Sequence, residues 1–231
     1  MRGVALPAPR PSLVLECLSM PHIKAAAMLM LASALALAGC KFVRTADEQK
    51  EAAAAAFDPD KRVAEIWDAK VIPFLEKRAG KLEDVATLAA TDPDAAGAQY
   101  GHKEKQGNAP WAFAAKVDGK IVAAETKSRA AYVDVDVNAD GKADVRVAIG
   151  PAVRGTALRD SLDFVDFNAF KNQIEWAQFG KSFNIHVNKT LLEKLPRDNL
   201  VGKPLSALGA YPLPSAGQLP QFVPATITIG G

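Results

Sequence analysis

The sequence predicts an α+β protein in which N-terminal helices pack on a small antiparallel β-barrel and one long helix follows the fourth strand. Three observations predict it. Apolar residues recur at spacings of three and four from Val63 to Leu88, alternate past Gly101, and return to a helical period after about Asp166. The 231 residues, 49% hydrophobic, suffice for a buried core. Only two cysteines are present, too few for a disulfide framework or a Cys-based zinc site. The 28 basic and 26 acidic residues nearly cancel, which removes the electrostatic case for nucleic-acid binding. Aromatics make up 7% and alanine is abundant, so the hydrophobic fraction overstates core-forming power.

The N-terminus reads as an address. Lys24 precedes an apolar run of 13 residues, Ala25 to Leu37. Such a run spans roughly 20 Å as a helix, short of the ~30 Å hydrocarbon core. A basic stretch, a short apolar segment and small residues describe a secretory signal. Its end, Leu37-Ala38-Gly39-Cys40, resembles the lipobox of bacterial lipoproteins. That resemblance implies cleavage before Cys40, diacylglycerol on its sulfur and a further acyl chain on its amino group. Two or more chains anchor stably where one does not. Residues 1–39 are therefore leader and signal peptide. Met20 is the natural start of that signal, so Pro-rich residues 1–19 read as an over-extended start. Lys41 is not the aspartate that retains enterobacterial lipoproteins at the inner membrane, which leans toward the outer membrane. Loss of Arg2, Arg10, Lys24 and Glu16 with the leader makes the mature chain charge-neutral.

Residues 40–57 are expected to be the lipid anchor and an Ala-rich helical arm, and residues 58–231 a single α+β periplasmic domain. Asp58 is placed as N-cap and Pro59 as first helical residue. Val63, Ile66, Trp67, Val71, Phe74 and Leu75 form one stripe to about Arg78, with a bend at Pro73. Leu82, Val85 and Leu88 mark a further helix that stops before Asp92-Pro93. Residues 111–117 and 121–126 read as a hairpin around Asp118-Gly119, a pair suited to a type I′ turn. Tyr132–Val137 and Val145–Ile149 alternate likewise. A helix is expected from about Asp166 to Leu195, then strands near Pro204–Tyr211 and Val223–Ile229 around a proline-stiffened loop.

The loop between the central strands places oxygen-bearing side chains at positions 1, 3, 5 and 9: Asp136, Asn138, Asp140 and Asp144. Gly141 stands at position 6, and the Lys142 carbonyl would serve position 7. Alternate residues would turn their oxygens to one centre, which points to calcium. Position 12 is Val147 and the flanks are strands, so the loop is no EF-hand; it resembles the calcium loops of integrin-type β-propeller repeats. The alternative is a solvated hairpin loop built from Asx turns. A second candidate is polar: Arg154, Arg159 and Asp160 shortly before Asn168, Asn172 and Glu175, the last three on one face of the expected helix. With Trp176 exposed beside them, they form either a ligand or partner site or a helix bonded to a barrel.

Catalytic constellations are weak. His102 and His186 have no ligand spacing, and Ser161 or Ser182 with His186 lacks a nucleophile elbow. The chain is not expected to be an enzyme.

The lipobox, Phe57-Asp-Pro-Asp60, Ile66-Trp67-Asp68, Tyr100-Gly-His102, the Asp-rich loop, Gly155-Thr-Ala-Leu-Arg-Asp160 and Asn172-Gln-Ile-Glu175 together resemble a bacterial family of predicted periplasmic lipoproteins of unknown function. Members are often encoded beside ribose-type sugar ABC transporters. The resemblance implies an accessory or binding role in sugar import, with the transporter or its solute-binding protein as partner and the membrane reached through the lipid. The barrel is expected to be OB-like. The alternatives are a structural envelope lipoprotein without a small ligand and, last, a hydrolase.

Overall fold

The computed structural model describes residues 57–105 and 108–230. The signal, Cys40 and the Ala-rich arm lie outside the described residues. Helix α1 (Pro59–Ile66) starts as its sequence dictates: the Asp58 carboxylate accepts from Lys61 N at 3.0 Å, and Pro59 needs no N–H in the first turn. A π-helical turn, Trp67–Val71, then leads into α2 (Ile72–Arg78). Pro73 lacks an N–H and its ring crowds the carbonyl four residues back, so the wide turn just upstream accommodates it. Helix α3 (Leu82–Thr91) ends at Asp92, which at once caps α4 (Pro93–Tyr100) through Asp94 N and Ala95 N. Asp92-Pro93, expected only as a stop, is the same cap-and-proline start as Asp58-Pro59.

Five strands close the barrel: β1 (Ala112–Glu125), β2 (Tyr132–Asp136), β3 (Val145–Ala148), β4 (Pro204–Pro212) and β5 (Gln221–Ile229). Antiparallel pairs join β1 to β2, β2 to β3, β4 to β5 and β1 to β4; a short parallel pairing of β3 with β5 completes the ring. Two-residue strands, Gly80–Lys81 and Gly101–His102, attach the helical part to β1.

One expectation fails here. There is no hairpin at Asp118-Gly119: β1 runs unbroken for 14 residues. Its residues Ala112–Lys120 pair with β4 and Lys120–Glu125 pair with β2, with a bulge between Ile121 and Ala123. The strand thus turns a barrel corner. A Cβ on Gly119 would lie 2.3 Å from the Asp136 carbonyl oxygen, so glycine serves close approach of two backbones and not a turn. Three barrel strands, not four, therefore precede the long helix.

That helix, α5, spans Gln173–Thr190 rather than 166–195, and a single helical turn, Ala157–Asp160, lies between it and β3. A 3₁₀ turn, Phe167–Ala169, precedes it, and Asn172 caps it by accepting from Ile174 N at 2.9 Å and Glu175 N at 3.0 Å. The prolines near the C-terminus are also accommodated. Pro204 opens β4, and Pro224 lies opposite the irregularity at Leu208/Gly209, where a missing donor does least harm.

Two cores result. Phe113, Val117, Val133, Val147, Tyr211 and Phe222 fill the barrel; Trp67, Leu75, Phe179 and Phe183 cover its outside with Leu208 and Val223. Strand β4 shows the period of two: Leu205, Ala207 and Tyr211 point inward, while Leu208 and Ala210 meet the helices. From Ala207 to Tyr211 both its faces are buried, and that stretch reads as a continuous apolar run.

Candidate functional site

The outward face of β2 and β3 carries a polar row. Asp134 and Arg146 are cross-strand partners, as are Tyr132 and Ala148, and Gln221 of β5 lies beside Arg146. Arg146 donates from Nε and Nη2 to the two Asp134 carboxylate oxygens at 2.7 and 2.9 Å. Its guanidinium carbon sits 3.7 Å from the Tyr132 ring centroid. The bond to Asp134 holds the Arg146 pKa above its ordinary value, and the fork geometry fixes the guanidinium on the ring.

The loop joining β1 to β2 forms one wall. Glu125 accepts from Lys127 N and Ser128 N at 2.8 and 3.2 Å, and the Ser128 hydroxyl oxygen accepts from Ala130 N. The segment leaving β3 lies directly against this loop: Gly150 N donates to the Ala131 carbonyl and Ala152 N to that of Arg129. A Cβ on Gly150 would stand 2.3 Å from Ala131 N and 2.5 Å from the Arg129 oxygen. Glycine therefore permits the approach that brings Arg154 to the rim. The outcome is a groove of ≈ 220 Å³ whose polar lining is Ser128, Tyr132, Arg146, Arg154 and Gln221, over alanines and Phe222. Arg154 is exposed and makes no hydrogen bond or ion pair among the described residues.

The six-residue polar cluster expected from sequence does not assemble as one site. Arg154 belongs to the groove. Arg159, only 7% exposed, bonds to Asp160 at 2.8 and 2.5 Å and to the Trp176 carbonyl at 2.9 Å, with its guanidinium 3.9 Å from the Trp176 ring centroid. Trp176 is half-buried against Phe167 and Phe170 rather than exposed. Asn172 is spent as the N-cap, and Glu175 accepts from Lys171 N at 3.0 Å. Asn168 bonds to Asp166 from the 3₁₀ turn. The cap at Asn172 interrupts the helix between 168 and 172, so the expected common face does not exist. Ile174, in the first turn after the cap, is 67% exposed.

The Asp-rich loop is closed by its own side chains. Asp136 accepts from Ala139 N and Gly141 N, Asn138 from Asp140 N, Asp140 from Lys142 N, and Asp144 from Val137 N and the Asn138 amide. Ala139 and Gly141 take φ of 64° and 85°, which makes the turn tight. Among the described residues no group of three or more Asp, Glu, His or Cys side chains is gathered around a metal-sized centre.

Ser161 donates to the Leu158 carbonyl and Ser182 to Asp60, so neither faces His186 as a nucleophile would. His186 lies against Trp67, with ring centroids 4.4 Å apart; burial lowers its pKa, and Asp68 and then Asp60 oppose that. His102 Nδ1 is 3.0 Å from the Asp160 carbonyl oxygen.

Residues 30–228 match the family model described as predicted periplasmic lipoprotein (DUF2291). The chain belongs to this family. Membership carries a periplasmic, membrane-anchored location for the lipoprotein. Among curated proteins, none matches it in sequence. A crystal structure of an OB-fold protein from Thermotoga maritima is similar to it in fold, with a TM-score of 0.58 and 17% identity over 75% of this chain and 99% of that one. The lipoprotein's barrel is accordingly OB-like. The sequence reading missed Tyr132, Arg146 and Gln221. The signal of Tyr132 and Arg146 was present in the outward positions of β2 and β3, where Tyr132, Asp134 and Arg146 stand between inward valines; Gln221, in β5, had no local signal.

Proposed function

We propose that the lipoprotein is a non-catalytic, lipid-anchored binding protein that assists a sugar ABC importer, and that its groove on the β2–β3 face receives the ligand or partner. The groove's place on the barrel carries this reading. OB-folds bind oligosaccharides and oligonucleotides on the face of strands 2 and 3, between the loop joining strands 1 and 2 and the loop joining strands 4 and 5. The groove occupies that face, from Ser128 in the first loop to Gln221 just after the second. The resemblance to lipoproteins encoded beside sugar transporters supplies the process. Lipidation at Cys40 would hold the body at the periplasmic face of a membrane, the outer one on the reading of Lys41, where the importer's solute-binding protein could reach it.

The test is direct. The full lipidated chain in nanodiscs should capture the solute-binding protein encoded beside it, or bind a sugar by calorimetry, and Tyr132→Ala should weaken either. Failure of both refutes the reading. A deletion strain with normal sugar uptake and altered envelope integrity would replace it with a structural role.

Calcium at the Asp136–Asp144 loop belongs to the same proposal. Its donors are hard oxygens suited to that ion: Asp136, Asn138, Asp140, Asp144 and the Lys142 carbonyl. A carboxylate oxygen that accepts one N–H keeps a second lone pair. The expected affinity is that of an extracellular module, roughly 10⁻⁴ to 10⁻³ M. Melts with calcium and then EDTA decide: at 100-fold excess over Kd the stabilisation is about 2.7 kcal/mol. No shift means that backbone N–H groups alone hold the loop.

A further inference from the structure

We propose that the groove selects a small ligand carrying an anionic group, a carboxylate or a phosphate, and that Arg154 receives it. The proposal rests on the groove being the ligand site and names the chemistry of what it takes. Among the described residues, Arg146 and Arg154 are the only charged side chains lining it. The two differ in what they already hold. Arg146 is paired with Asp134 through Nε and Nη2. Arg154 has no partner among the described residues and presents five N–H donors.

Of the other polar groups, Gln221 gives an amide N–H to the Leu219 carbonyl and keeps its oxygen as an acceptor, while Ser128 adds a donor. Ser128 uses its oxygen to accept from Ala130 N, which leaves its hydroxyl hydrogen to give. The remaining N–H groups of Arg146 are also uncommitted to Asp134. The nearest carboxylate of the wall, Glu125, is turned to the N–H groups of its own loop. Lys127 and Arg129, both exposed, flank Ser128 in that loop, while the acidic Asp136, Asp140 and Asp144 sit at the opposite end of the β2–β3 hairpin. A neutral polyol offers donors and acceptors alike and would leave some donors unmatched. A carboxylate or phosphate offers acceptors only, and a guanidinium fork matches either in bidentate fashion.

The experiment compares D-galactose, D-galacturonate and D-galactose 6-phosphate on the full lipidated chain in nanodiscs of neutral lipid, read by calorimetry. One or both anions should bind at least about tenfold more tightly than galactose. Arg154→Gln, an exposed substitution, should remove that preference, and raising the salt from about 0.05 to about 0.5 M should weaken anion binding. The two anions separate carboxylate from phosphate recognition. The proposal is overturned if galactose binds as well as both anions, if Arg154→Gln leaves anion affinity unchanged, or if neither anion binds at about 10 mM. Equal binding of all three, weakened by Tyr132→Ala, would overturn anion selection and leave the groove as the ligand site. If none binds, capture of the solute-binding protein still judges the groove by itself.

Discussion

Gly119 is where a turn and a barrel corner make opposite predictions. In a type I′ hairpin, asparagine would replace it with little cost, because Asn tolerates positive φ. In the structure Gly119 does not have positive φ and pairs with Leu205 inside β1. A Cβ there would lie 2.3 Å from the Asp136 oxygen and 2.8 Å from Val135 Cγ1, against an ordinary contact of 3.4–4 Å. The first obstacle is backbone of the paired strand, so β1 and β2 must separate by about 1 Å to admit it. Overpacking of this kind costs about 1–3 kcal/mol. Removing a glycine from the unfolded chain returns about 0.4–1 kcal/mol; taken from the middle of the overpacking range, about 2 kcal/mol, this leaves Gly119→Ala destabilised by about 1–1.6 kcal/mol. Gly119→Asn, being larger, should lose at least as much. At about 2–4 °C per kcal/mol for a chain of this size, Tm for Gly119→Ala falls by roughly 2–6 °C. Urea unfolding followed by circular dichroism measures it. An Asn variant within about 0.5 kcal/mol of wild type would refute the corner and restore the turn.

Arg159→Lys should cost about 1–3 kcal/mol in urea unfolding, because one ammonium cannot serve Asp160, the Trp176 carbonyl and the ring together. Asn172→Ala should lose about 1 kcal/mol as a helix cap, Asn172→Asp should recover most of it, and ligand binding in the groove should not change. His186 makes stability depend on pH. Its folded pKa lies below the ordinary 6.5, so the unfolded chain binds the proton more readily. Its contribution is complete above about pH 6.5 and is lost as the pH falls through the folded value. The urea midpoint should therefore drop on acidification to about pH 5, less steeply in His186→Gln, and equal slopes would contradict the assignment.

Helices were legible wherever a cap and a periodic stripe coincided. Asp58-Pro59 and the Val63–Leu75 stripe located α1 and α2, and alternation located β2 and β3 to within a residue. Two local signals misled. Asp118-Gly119 has turn chemistry, yet the glycine answers to a strand that crosses it in space. Asn168, Asn172 and Glu175 have helical spacing, yet Asn172 gains more by capping two N–H groups than by continuing a helix.

By itself the sequence determined the α+β class, the order of most elements, the lipoprotein family and the Asp-rich loop, because these rest on periodicity, capping and short motifs within one stretch of chain. Only the tertiary structure decided which polar residues meet. Ring closure by β3–β5 pairing sets Gln221 beside Arg146, and the approach permitted by Gly150 sets Arg154 at the same groove. These residues are separated by up to half the body of the chain, and no local spacing encodes a contact that exists only once a barrel has closed.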